Sequence, residues 1–92
     1  MEREINQLVS ECYQFLVKNN YTPSTLFQYK SLWKRGILSY MEAKGETMYT
    51  EKLGNDFIVD CYPDMDNSPN AASMSRSICF LNDYLRFGYI RE

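Results

Sequence analysis

Between Glu4 and Asn19 the apolar residues Ile5, Leu8, Val9, Cys12 and Leu16 recur at the three-four spacing of one helical stripe, with Tyr13 and Phe15 on its flanks. This spacing predicts a helix over 4–19. Asn19-Asn20-Tyr21-Thr22-Pro23 interrupts it, because Asn tolerates the left-handed conformation at a helix end and Pro disfavours the α region in the residue before it. A second helix is predicted over 23–44. Thr22 or Ser24 can cap it, Pro23 suits its first turn, and Leu26, Tyr29, Trp33, Ile37, Tyr40 and Met41 form its stripe. Gly36 inside that run costs about 1 kcal/mol relative to Ala, which points to a close approach by another helix. Lys44-Gly45 closes the helix with a cation in the last turn and a residue suited to a left-handed cap.

A third helix is predicted over 50–62, with Thr50 as cap, Glu51 in the first turn, and Leu53, Phe57, Ile58 and Cys61 as its buried face. Pro63 to Asn70 reads as a loop. Ser68-Pro69 or Asn70 then opens a fourth helix over 69–87, with Met74, Ile78, Leu81 and Leu85 on one stripe and Phe80, Tyr84 and Phe87 beside it; Gly88 closes it. No strand-length alternation and no internal repeat is present. The expectation is an all-α fold, a compact four-helix bundle formed by residues 1–92 as one domain.

Composition sharpens that picture. Ninety-two residues allow a single modest core, and the eight Tyr, five Phe and one Trp mean that rings supply much of it, with Tyr29, Trp33, Phe57 and Phe80 expected inside. Histidine is absent, which removes the commonest general base and metal ligand and any Ser-His or Cys-His pair. Cys12, Cys61 and Cys79 are odd in number and lack CxxC spacing, so neither a disulfide framework nor a zinc site is indicated; they read as reduced, mostly buried thiols of a cytoplasmic protein. No apolar run approaches the ~20 residues of a membrane span. With no glycine-rich phosphate loop, metal-ligand cluster or activated nucleophile, the chain is expected to be no enzyme and to take no cofactor, metal or small-molecule substrate.

The formal charge of −2 conceals an uneven distribution. Residues 1–22 carry −1, residues 23–44 carry +3, residues 45–70 carry −5 and residues 71–92 carry +1. The second helix is a basic element in an acidic protein. Lys30 and Lys34 lie four apart with Gln28, Ser31 and Arg35 near them, and the helix start adds free N–H groups and the hydroxyls of Thr22, Ser24 and Thr25, a combination that favours phosphate. The same residues also suit an ordinary solvated helix face. Arg76 and Arg86 add cations on the fourth helix, where Asp83 can pair with either. Asp56, Asp60, Asp64 and Asp66 lack the spacing of a calcium loop and read as a solvated face.

Tyr21-Thr22-Pro23-Ser24-Thr25-Leu26-Phe27-Gln28-Tyr29-Lys30-Ser31-Leu32 resembles the N-terminal SAM-like, or core-binding, domain of tyrosine recombinases and phage integrases, in which a Ser-x-x-Thr-apolar-x-x-Tyr-x-x-x-Leu segment opens the second helix. Thr25 and Tyr29 match its Thr and Tyr, and Lys30 and Lys34 fall where the family often has basic residues. The resemblance continues through Tyr40 to Gly45, Thr50-x-x-Leu53-x-x-x-Phe57-Ile58 and Ile78-x-x-Leu81-x-x-Tyr84-Leu85, covering roughly residues 5–87. It implies a four-helix bundle forming half of a clamp on the duplex of a recombination site. Strand cleavage in that family belongs to a separate C-terminal domain, and the sequence ends before one could begin. The expected function is therefore the DNA-binding module of a recombinase, with Thr25, Gln28, Lys30, Ser31, Lys34, Arg35 and Arg76 on DNA. Its expected partners are double-stranded DNA and other recombinase protomers. The alternative is a helical protein-interaction module docking through Leu38, Val59 or Phe27.

Overall fold

Local chemistry sets the ends of the helices. In the computed structural model, which describes residues 2–63 and 71–91, the Glu4 carboxylate accepts from the backbone N–H groups of Asn6 at 2.8 Å and Gln7 at 3.1 Å and so starts α1 (Ile5–Lys18). These bonds favour the charged form and hold the Glu4 carboxyl below the usual carboxylate range. Asn20 then takes the left-handed conformation at φ 65°. Thr22 caps α2 (Pro23–Trp33) by accepting from the Thr25 N–H at 3.3 Å, with Pro23 in the first turn. Gly45, at φ 70°, ends the rod that began at Pro23, and Thr50 caps α4 (Glu51–Cys61) through the Leu53 N–H at 3.1 Å. The last helix, α5, runs Ala71–Phe87 and is followed by Gly88 at φ 77°.

The predicted second helix is one rod over 23–44, but it is not uniformly α-helical. Its middle, Lys34–Leu38, is a π-helical segment, followed by α3 (Ser39–Lys44). The cause is a register mismatch. Tyr29, Trp33, Ile37 and Met41 are all buried, and the twelve residue steps from first to last exceed the roughly 11 that fill three α-helical turns. One inserted residue returns Met41 to the core side. The Ser39 hydroxyl donates to the Lys34 carbonyl at 3.0 Å and so satisfies an acceptor in the widened turn.

A second difference from the sequence reading is a small sheet. β1 (Arg3–Glu4) pairs antiparallel with β2 (Met48–Tyr49), matching Arg3 to Tyr49 and Glu4 to Met48. Two residues are too few to show alternation. The ladder pins the loop after α3 to the start of α1, and the buried Tyr49 ring enters the core from it.

The other three helical elements close around α5, which packs against α1, α2 and α4. The expected aromatic core is present: Tyr29, Trp33, Phe57 and Phe80 are buried, with Tyr29 stacked on Phe80 at 4.8 Å between centroids. Trp33 donates its indole N–H to the Ser77 carbonyl at 3.0 Å, and the buried Ser77 hydroxyl donates to the Met74 carbonyl at 2.6 Å. Gly36 does admit a close neighbour, since a Cβ there would meet the Met74 sulfur at 2.6 Å. Gly54 has the same role and was not foreseen: a Cβ would overlap the Tyr49 hydroxyl, which donates to Asn82 Oδ1 at 2.5 Å.

The thiols depart from expectation. Cys12 is buried, but Cys61 and Cys79 are exposed. Cys61 is the last residue of α4, and the chain leaves the helix there so that Tyr62, not Cys61, covers Phe57, with ring centroids 6.1 Å apart. The predicted loop Pro63–Asn70 and the start of the fourth helix lie almost wholly outside the described residues. No helix among the described residues is long and apolar enough to cross a membrane.

Candidate nucleic-acid interface

Glu11 is the last acidic residue before Glu42, and the thirty residues between them carry Lys18, Lys30, Lys34 and Arg35. All four cations are exposed, and none forms an ion pair among the described residues. Lys18 ends α1, and Lys30, Lys34 and Arg35 spread over the outer surface of α2 and the π segment. Lys30 leans toward α1, its Nζ 5.5 Å from the Tyr13 ring centroid. Arg35 donates from Nε to the half-buried Ser31 hydroxyl at 3.1 Å, which leaves its terminal nitrogens outward. Lys34 borders a cleft of about 440 Å³ whose far wall holds Glu42 and Glu46, so it stands where the cationic face meets an acidic rim. Gln28 is exposed.

The helix start is partly spent on itself. Thr22 accepts from the Thr25 amide and donates to the Thr25 hydroxyl at 2.9 Å, and its oxygen lies 3.4 Å from that of Ser24. Hydroxyls that the sequence offered to an anion thus hold the cap. Thr25 and Arg76 do not join the other five candidate residues on the outer face. They line an open cleft of about 810 Å³ between α2 and α5, floored by Tyr29 and Phe80 and shared with Cys79 and Arg91. The sequence could not show this division, because it depends on how α5 lies against α2.

Several of the other charges are engaged within the protein. Arg86 pairs with Glu51 instead of Asp83, and the Asp83 carboxylate accepts from the Arg91 amide at 3.1 Å. Arg3 pairs with Glu11, Lys52 with Asp56 at 3.1 Å, and Asp60 accepts from the Tyr40 hydroxyl at 2.6 Å. That last bond favours the neutral phenol and pushes the Tyr40 pKa up to about 12. Among the described residues no group of three or more Cys, Asp or Glu side chains is arranged to hold a metal ion.

One residue on the outer face was assigned by sequence to protein docking instead of DNA: Phe27, 75% exposed. It follows Leu26, which packs partly against the core, by about 100° around the helix. Of the other docking candidates, Val59 is 66% exposed, while Leu38 packs partly against the core. No protein-family model, curated protein or solved structure matches this chain.

Proposed function

We propose that the chain is a non-enzymatic DNA-binding module that sets the outer face of α2 against a duplex, in the manner of the recombinase core-binding domains its sequence resembles. The observation that supports this reading is the acid-free stretch between Glu11 and Glu42 with its exposed, ion-unpaired cations. The acidic total is a weak objection. At 0.1 M salt the screening length is about 10 Å, whereas the molecule measures 33 × 29 × 20 Å, so the charge nearest a phosphate outweighs the sum over the chain.

In this reading Lys30, Lys34 and Arg35 meet phosphates and hold the helix in position, and Gln28 and Ser31 are the polar groups nearest base edges. Thr25 and Arg76, set back in the α2–α5 cleft, touch DNA only where a strand passes over its rim. Binding of a fluorescent duplex across a salt series is the test. The double variant K30A/K34A is expected to flatten the plot of log affinity against log salt by about 1.8, two contacts' worth, with the fold unchanged. An identical slope would falsify the assignment of those lysines. A wild-type chain that passes a duplex-DNA column unretained at low salt removes the whole reading in favour of a protein-interaction module.

A further inference from the structure

Of the large apolar side chains exposed among the described residues, Phe27 is the most open. A single exposed hydrophobe is ordinary on a protein surface, so its surroundings decide what it means. On α2 its neighbours at three and four residues are Pro23, Ser24, Lys30 and Ser31, with Lys34 one turn further on. No acidic residue shares that face, and the Phe27 ring makes no ring or cation contact with any described residue, whereas Lys30 lies over Tyr13. The surface is therefore one apolar group set in a polar, cationic border.

Its complement has a polyanionic perimeter around a small apolar spot. A partner helix or a membrane surface asks for a continuous apolar stripe, which this face lacks. An unstacked base calls for an aromatic platform beside a strand-tracking groove, and Phe27 stands alone on a convex helix. The major groove fits: it is about 12 Å wide and so admits a helix of about 10–12 Å, phosphates run along both of its edges, and the thymine C5-methyl is the apolar feature on its floor.

We infer that Phe27 is the sequence-reading residue of α2 and that it recognises thymine methyl groups in the major groove. This inference rests on the proposed function and adds an apolar, base-dependent contact to the polar groups Gln28 and Ser31 that the reading sets nearest base edges. The lysines supply affinity for any duplex, and the ring selects among duplexes.

The test uses the whole chain. Duplexes recovered from a randomised pool by the wild-type protein are resynthesised with deoxyuridine in place of thymidine, which removes the methyl and keeps every hydrogen-bonding group. Wild-type affinity is expected to fall about fourfold for each thymine contacted, the worth of one buried methyl-sized group. F27A is expected to bind both duplexes equally and to keep the wild-type salt slope, while K30A/K34A keeps the preference and loses slope. Because Phe27 is exposed, F27A retains the fold, which circular dichroism verifies. Wild-type binding that ignores the methyl, or F27A that still senses it, overturns the inference and leaves DNA binding standing. If no duplex binds at all, both fail together.

Discussion

Helices α2 and α4 are built alike and put their polar residues to opposite uses. Each has eleven residues, each is capped by a threonine that accepts the N–H three residues on, and each exposes one large apolar side chain, Phe27 or Val59. On α4 the charges have partners within the protein: Glu51 pairs with Arg86, Asp56 with Lys52, and Asp60 takes the Tyr40 hydroxyl. On α2 and the π segment after it the cations have no anionic counterpart among the described residues. Charge on one helix is consumed by architecture, and on the other it is left for something outside. Sequence alone gives the sign of a charge, whereas the structure tells which charges are still available.

The sharpest way to break this contrast is to disturb α4, where the fold is committed. Gly54→Ala is expected to cost about 3 kcal/mol in urea unfolding, because its methyl collides with the buried Tyr49 ring and displaces the bond to Asn82. Gly36→Ala meets the flexible end of Met74 and should cost less.

Alkali offers a second probe of the committed groups. Burial, with Asp83 and Glu11 nearby, pushes the Cys12 thiol up to about 12 from an ordinary 9.0. The unfolded chain therefore loses this proton at lower pH than the native protein. The stabilisation is fully present below pH 9 and fades as pH rises from 9 toward 12, amounting to about 2 kcal/mol lost by pH 10.5. Burial raises Tyr49 in the same direction. Unfolding followed at pH 8 and pH 10.5 in the presence of reductant measures the loss, and C12A should show a shallower decline. A C12A protein as alkali-sensitive as the wild type would assign the effect elsewhere.

The smallest effect is the most discriminating for the pair of helices. Lys52→Ala removes an exposed i,i+4 partner on α4 and should change stability by less than about 0.5 kcal/mol, with no change in DNA affinity. Loss of an equal positive charge at Lys30 also removes its contact with the Tyr13 ring, so it should cost less than about 1 kcal/mol of stability, and it is expected to lower DNA affinity. Equal responses in the binding assay would mean that net charge, not position, attracts DNA.

How much of this was written in the chain follows from the range of the forces involved. Helix ends were legible because Thr22, Thr50, Gly45 and Gly88 act within one turn of their own backbone. The buried stripes were legible because a helix repeats its environment every 3.6 residues. The β1–β2 pairing, the notch at Gly54 and the exposure of Cys61 were not, since each is decided by a residue distant in sequence or by where a helix stops. The candidate site divides in the same way. The basic character of residues 23–44 could be counted, but the withdrawal of Thr25 and Arg76 into a cleft required the position of α5.

The extra residue in the π segment acts as an angular setting for the whole rod. Were Lys34–Leu38 wound as ordinary α-helix with no residue removed, the Met41 half would turn against the Tyr29 half by about 100°. One half could then keep its anchors only by withdrawing the other's. A single widened turn thus aims the cationic face, and the same residues wound without it would point Lys30 and the cations beyond the turn in different directions.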